Sequence, residues 1–363
     1  MHRTSTAALA VALCSLALPA VAGAATKTVT AGPPVEHPPS GVPKDAFVNE
    51  FFPRSIAVRA GDALSFRIAG FHAVNLPVAR EAPPALAVPA EGLAVAGASD
   101  GAGASFWFNG QPQLILHPSL VAGTPSGGAY DGSAAAASGA PLAAGPPKPW
   151  SVKLTKPGTY RFFCIIHPGM SGKVTVLPKG KPVPSAKADA ARVRAQLRAA
   201  FKQAKALARR PAPKGDVIEA GPDLSSGVSL GRFTPATKRV KSGAPVTLTM
   251  SSKTTETHSF TFAREAGTLK QVAQAFIAPL PGSPAGQPPL LGLSAQVVYP
   301  SDVPLPPYDG TQHGDGFLNT GILDGDPTSP LPRSATVTFS KPGTYRYICA
   351  IHPEMQGKVV VTS

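Results

Sequence analysis

The segment Lys156-Pro-Gly-Thr-Tyr-Arg-Phe-Phe-Cys-Ile-Ile-His-Pro-Gly-Met-Ser-Gly-Lys-Val-Thr-Val176 returns 185 residues later as Lys341-Pro-Gly-Thr-Tyr-Arg-Tyr-Ile-Cys-Ala-Ile-His-Pro-Glu-Met-Gln-Gly-Lys-Val-Val-Val361. A repeat at one fixed offset makes the chain an internal duplication, in which both copies must build the same local structure. Weaker echoes lie upstream. Phe52-Pro53 and Val58-Arg-Ala-Gly61 answer Thr234-Pro235 and Val240-Lys-Ser-Gly243, and Tyr130-Asp-Gly-Ser133 answers Tyr308-Asp-Gly-Thr311. At 363 residues, 43% of them apolar, the chain is long enough for two cores of ordinary size.

Each copy reads as β-structure. Pro157-Gly158 and Pro342-Gly343 suit the centre of a type II turn, with glycine at positive φ. In the strand that follows, alternation puts Tyr160, Phe162 and Cys164 on one face, and Tyr345, Tyr347 and Cys349 likewise. Arg161 and Arg346 then face out. Ser55–Val58, Ala63–Ile68, Val246–Met250 and Ser259–Ala263 are further short runs between turn residues, as in a β-sandwich. Between the copies, Pro178–Gly215 holds eleven Lys or Arg against one acid, Asp189, and so carries most of the net charge of +14. Val193, Leu197, Phe201, Ala204 and Ala208 recur there at helical spacing, which predicts a connecting helix over Ala186–Arg209 with one apolar stripe.

The cysteines define the chemistry. Met-His-Arg-Thr and an apolar run from Ala7 to Ala22, ending Ala22-Gly23-Ala24, read as an export signal cleaved near Ala24. The run is short of the roughly 20 residues a spanning helix needs. The bulky Leu13 argues against lipid attachment at Cys14. The mature chain keeps Cys164 and Cys349. One disulfide between them is the plainest use in an exported protein. Each cysteine, however, opens Cys-x2-His-x2-Met: Cys164, His167, Met170 and Cys349, His352, Met355. A thiolate, an imidazole and a thioether on one short loop suit copper. Zinc would have no use for Met170 and Met355. A second imidazole is available in each copy: His72 lies 92 residues before its cysteine and His258 lies 91 before its own.

These loops, the strands around them and the upstream histidine segments Gly70-Phe-His-Ala-Val-Asn75 and Glu256-Thr-His-Ser-Phe-Thr261 resemble the cupredoxins, the blue-copper proteins that include amicyanin, pseudoazurin and plastocyanin. The resemblance implies an all-β fold of two tandem Greek-key β-sandwiches, joined by the basic helical linker and carrying long Pro/Gly-rich insertions at 76–150 and 264–335. The implied division is signal peptide 1–24, first domain 25–180, linker 181–215 and second domain 216–363. It implies two type 1 copper ions per chain, held by His72, Cys164, His167 and Met170 and by His258, Cys349, His352 and Met355. It places His167 and His352 at the exposed end of each sandwich, as the electron's exit. The family's polar residue after the upstream histidine is here Ala73 and Ser259, with Asn75 as a substitute in the first copy. Glu354, against Gly169, implies a lower reduction potential in the second site.

The function implied is one-electron transfer by an exported carrier, periplasmic, extracellular or associated with the cell envelope, rather than catalysis. A copper oxidase or nitrite-reductase-like enzyme and a copper capture or delivery protein are the alternatives. The enzymes need further histidines in pairs or beside the cysteine, whereas His37, His117 and His313 are isolated and read as surface residues. The basic helix lacks interleaved aromatics and so does not point to nucleic acid. Its charge suits a redox partner with an acidic surface or anionic envelope polymers.

Overall fold

The computed structural model describes residues 24–142, 145–224, 227–250, 256–281 and 289–363. Apart from Ala24, the expected export signal lies outside them. No helix among the described residues is long and apolar enough to cross a membrane. The structure is mostly β with few helices.

The duplication is visible in strand order. In the first half one sheet runs Phe51–Phe52, Thr26–Ala31, Ala63–Ile68, Trp150–Leu154, Gly128–Tyr130. The other runs Ala136–Ala137, Asn75–Leu76, Gly158–Phe163, Ser171–Leu177, Ser55–Arg59. The second half repeats them as Phe233–Thr234, Val217–Ala220, Pro245–Met250, Ser334–Thr338 and as Leu318–Asn319, Thr261–Phe262, Gly343–Ile348, Gln356–Thr362, Thr237–Lys241. Alternate residues of both sheets meet in one core per half: Leu64, Phe66, Val152, Phe162 and Val174 in the first, and Val246, Leu248, Phe262, Tyr347 and Val359 in the second.

The proline-glycine pairs do not form the expected type II turn. Neither Gly158 nor Gly343 has positive φ; each is the first residue of a strand. The tyrosine two residues on explains why. Tyr160 folds back and donates to the Lys156 carbonyl at 3.0 Å, and Tyr345 to that of Lys341 at 2.9 Å. A Cβ on Gly158 would lie 3.2 Å from the Tyr160 ring.

The helix spans Ala186–Leu207, capped by Ser185, whose hydroxyl accepts from the Ala188 amide. It buries Ala200, Phe201 and Ala204 against Val48, Phe52 and Val228, and Leu207 is buried in its last turn. Leu207 therefore ends the stripe, and Ala208, just past the last turn, is exposed. Because Val48 and Val228 come from different halves, the helix seals a junction. Under it, Ala46–Val48 pairs antiparallel with Val228–Leu230.

The insertions join each other. Ala87–Ala94 and Pro112–Leu116 form one sheet with Ile277–Pro279 and Leu291–Leu293, through the pair Ile115 and Gly292. Two apolar clusters then draw on both halves. One holds Leu116, Leu120, Leu291 and Ile165, the other Phe106, Phe108, Val297 and Ala350. Ile165 and Ala350 directly follow the two cysteines, so the insertions close over the two cysteine loops.

His313 is not a free surface residue. Its Nδ1 lies 3.0 Å from Asp100 of the first insertion and its Nε2 3.0 Å from Asp302 of the second, while its ring packs on Phe106. Burial pulls its pKa down, but the hydrogen bonds and charges of Asp302 and Asp100 together outweigh that and raise it. A raised folded pKa contributes stability that is fully present below the unfolded value of about 6.5 and is lost as pH rises through the folded value. The thermal stability of the wild type should therefore fall with rising pH above about 6.5 relative to that of His313→Gln. Parallel pH profiles for the two proteins would contradict this pairing.

Candidate metal centres

Each centre is assembled from two distant segments. The strand Gly158–Phe163 delivers Cys164, the loop from Cys164 to Met170 turns back, and Ser171–Leu177 leaves antiparallel. The Cys164 amide donates to the Met170 carbonyl at 3.0 Å and the Met170 amide to the His167 carbonyl at 3.0 Å. In the second half Cys349 and Met355 make the same contact at 3.1 Å, and Met355 and His352 at 2.9 Å. Across the loop's neck Phe162 faces Gly172 and Tyr347 faces Gly357. A Cβ on either glycine would lie within 2.4 Å of the opposing ring, so these glycines leave space for an aromatic floor beneath each cysteine.

The upstream histidines meet these loops. His72 Nδ1 lies 3.0 Å from His167 Nδ1 and 3.8 Å from Cys164 Sγ, and His167 Nδ1 lies 3.4 Å from that sulfur. His258 Nδ1 lies 3.1 Å from His352 Nδ1 and 3.6 Å from Cys349 Sγ, with His352 Nδ1 at 3.7 Å. Three ligand atoms thus converge within 4.8 Å in each centre. Met170 and Met355 are buried in the same core clusters as their cysteines. The Ala73 and Ser259 amides each donate to the sulfur at 3.4 Å, a bond that favours thiolate. Both cysteines are unpaired thiols. The disulfide reading fails because each sulfur turns to its own pair of imidazoles.

The donor set fits a soft, nitrogen-accepting cation. Two imidazole nitrogens and a buried sulfur converge here with their ligating atoms turned toward one another. A shared metal satisfies the three together, and a thiolate with two imidazoles suits copper. Burial and the neighbouring His167 hold the His72 pKa down at about 3, which keeps its ring neutral and free to ligate. Burial pushes the Cys164 thiol up to about 11. At Cys349 burial acts the same way, but the bonds with His258 and His352 outweigh it and hold the thiol well below its usual range.

A glycine stands behind each upstream histidine. A Cβ on Gly32 would lie 2.9 Å from His72 Nε2, and one on Gly221 only 2.1 Å from His258 Nε2. His258 Nε2 is buried without a hydrogen-bond partner among the described residues, so Gly221 and the opposing Nδ1 fix this ring. Neither contact was legible in the repeat.

The environment of the two centres differs. Ser259 Oγ accepts from the Ala350 amide at 2.9 Å and so ties the histidine segment to the ligand loop. Ala73 has no such group, and Asn75 does not replace it: its side-chain oxygen is buried with no partner among the described residues. Its strand position sets this, since Asn75 pairs with Phe163 and not with the loop.

His167 and His352 are not at an exposed end. His167 is buried at 7% exposure and His352 is half-buried. Between them lies Glu256, which sequence reasoning missed. Its Oε1 is 3.4 Å from His167 Nε2, and its Oε2 is 3.2 Å from His352 Nε2. Asn49 of the first half donates to Oε1 at 2.6 Å. Burial raises the Glu256 pKa, but His167 and His352 outweigh it and hold the carboxyl down at about 2. One signal was present: Glu256 precedes His258 by two residues, where the first copy has Gly70.

Gly221→Ala should push His258 out of its ring position and lower metal binding from two ions per chain to one, with the fold retained. Metal analysis showing two ions in this variant would contradict the packing argument.

No family model matches the chain. Over 52 residues it is 44% identical to amicyanin-alpha of Methylorubrum extorquens, a stretch that makes up 14% of this chain and 44% of that protein. The chain thus spans less than half the length of the curated relative it matches. Similar solved structures include a reduced Cu(I) form of a proline-to-glycine mutant of amicyanin, at 17% identity and TM-score 0.22, covering 43% of this chain and 89% of that one. Oxidised plastocyanin from Dryopteris crassirhizoma is another, at 19% identity and TM-score 0.21, covering 40% and 99%. The sequence likeness to amicyanin is thus cupredoxin-like and partial.

Proposed function

We propose that the chain is an exported two-domain cupredoxin that carries single electrons at two type 1 copper sites. The domains run over 25–180 and 216–363, with 181–215 between them. The ligands are His72, Cys164, His167 and Met170, and His258, Cys349, His352 and Met355. The observation that carries this reading is the convergence of Cys, His and His in two separate centres with matching geometry. Bound copper would supply a couple that gains and loses one electron.

The residues around each centre favour that use. Loop, strand and glycine contacts hold the imidazoles in place, so a change of charge meets a rigid donor set. The floors of Phe162 and Tyr347 and the cover of the insertions keep water out. Catalysis would need additional ligands, but His117 caps a short helix through the Ser119 amide and His313 is engaged by two carboxylates. Delivery of copper to another protein would need an accessible, yielding site, which the burial of Cys164 and Cys349 disfavours. Glu354 is exposed, so its charge is screened and the second site's lower potential is modest. The partner is a redox protein whose acidic surface meets the basic helix.

Copper reconstitution tests this. Two coppers per chain with intense visible absorption and only type 1 EPR signals are expected, and Cys164→Ser and Cys349→Ser should each lose one copper while keeping the other. A type 2 signal would favour an enzyme instead. Absence of copper binding would remove the reading altogether.

A further inference from the structure

Glu256 holds a position that electron carriage at two separate sites does not require. It belongs to the second half, yet its carboxylate reaches the ligand histidines of both centres at once. Both histidines turn Nδ1 toward their own cysteine, so the atom facing Glu256 is Nε2 in each case. An ionised carboxylate only accepts, and its two oxygens serve two N–H donors. Asn49 completes the set from the first half, and its own backbone amide is fixed by the Gly227 carbonyl at 2.7 Å. The carboxylate is thus oriented from both sides of the junction.

We propose that Glu256 is an internal bridge between the two metal centres: a positioning residue that sets both ligand tautomers and provides the route by which electrons pass from one centre to the other. This rests on the copper reading above. Holding the proton on Nε2 leaves Nδ1 of His167 and of His352 free to ligate. From ring to ring, the route then crosses only two short polar contacts and one carboxylate. In the transfer one electron leaves the reduced centre and arrives at the oxidised one. No bond forms or breaks, and Glu256 neither gains nor loses a proton. The odd electron enters from an external one-electron carrier. The same negative charge lies beside both centres in a buried setting, where screening is weak, so it favours the more positive, oxidised state of each. Removing it must act on both in the same direction. A purely structural tie between the halves would not.

The test compares copper-loaded wild type, Glu256→Gln and Glu256→Asp in the full chain. Metal analysis and EPR come first, then the midpoint potentials of both sites, then the rate of electron redistribution after pulse reduction by less than one equivalent, read by rapid-freeze EPR. Glu256→Gln removes the charge at nearly constant shape. It should keep two coppers, raise both potentials and slow redistribution at least tenfold. Glu256→Asp keeps the charge but is one methylene too short to reach both rings, so it should leave the potentials near wild type and still slow redistribution. If Glu256→Gln fails to fold, Glu256→Asp alone decides through its rate. Unchanged rates in the folded variants, or a shift in only one potential in Glu256→Gln, would overturn the bridge while the copper reading stands. A wild-type chain that binds no copper would overturn both.

Discussion

Two imidazole nitrogens about 3 Å apart and the buried sulfur beside them are three metal-ligating atoms held where one cation can join them. In each half two imidazole nitrogens and a sulfur crowd together in this way, within 4.8 Å of one another. Much of the surrounding structure serves to hold them together. The hydrogen-bonded loop necks, the glycines behind His72 and His258 and the aromatic rings over Gly172 and Gly357 each remove a direction in which a ligand could retreat.

The two halves are not beads on a string. The strand pair Ala46–Val48 and Val228–Leu230, the shared sheet of the insertions and the helix over Phe52 and Val228 lock them along one junction. The two candidate metal centres lie against that junction, and Glu256 and His313 cross it with polar contacts between carboxylate and imidazole. Burying a carboxylate there costs several kcal/mol unless donors surround it, and His167, His352 and Asn49 supply them. His167 and His352 therefore turn Nε2 toward Glu256 and not toward solvent.

The repeat made the local elements legible. The motif strands, the cysteine faces and the pairing of His72 with Cys164 and of His258 with Cys349 all follow from alternation and spacing, because these depend on residues close in sequence or on a doubled pattern. The type II turns failed because Tyr160 and Tyr345 fold back over their glycines, a contact that spacing does not encode. Ala208 missed burial because the helix stops at Leu207, two residues short of the Arg209 that its composition suggests. The fate of the insertions was hidden for a deeper reason. Their strands are short, and they pair across some 180 residues, as Ile115 does with Gly292. That pairing builds the cluster that covers Ile165, and no local pattern announces it. Glu256 was visible only as a difference between the two copies.

Anomalous diffraction at the copper edge from crystals of the copper-loaded full chain locates the bound metal directly. Two peaks are expected, one among His72, Cys164 and His167 and one among His258, Cys349 and His352, with Met170 and Met355 turned toward them. A peak elsewhere, or none at either triad, would contradict these ligand assignments.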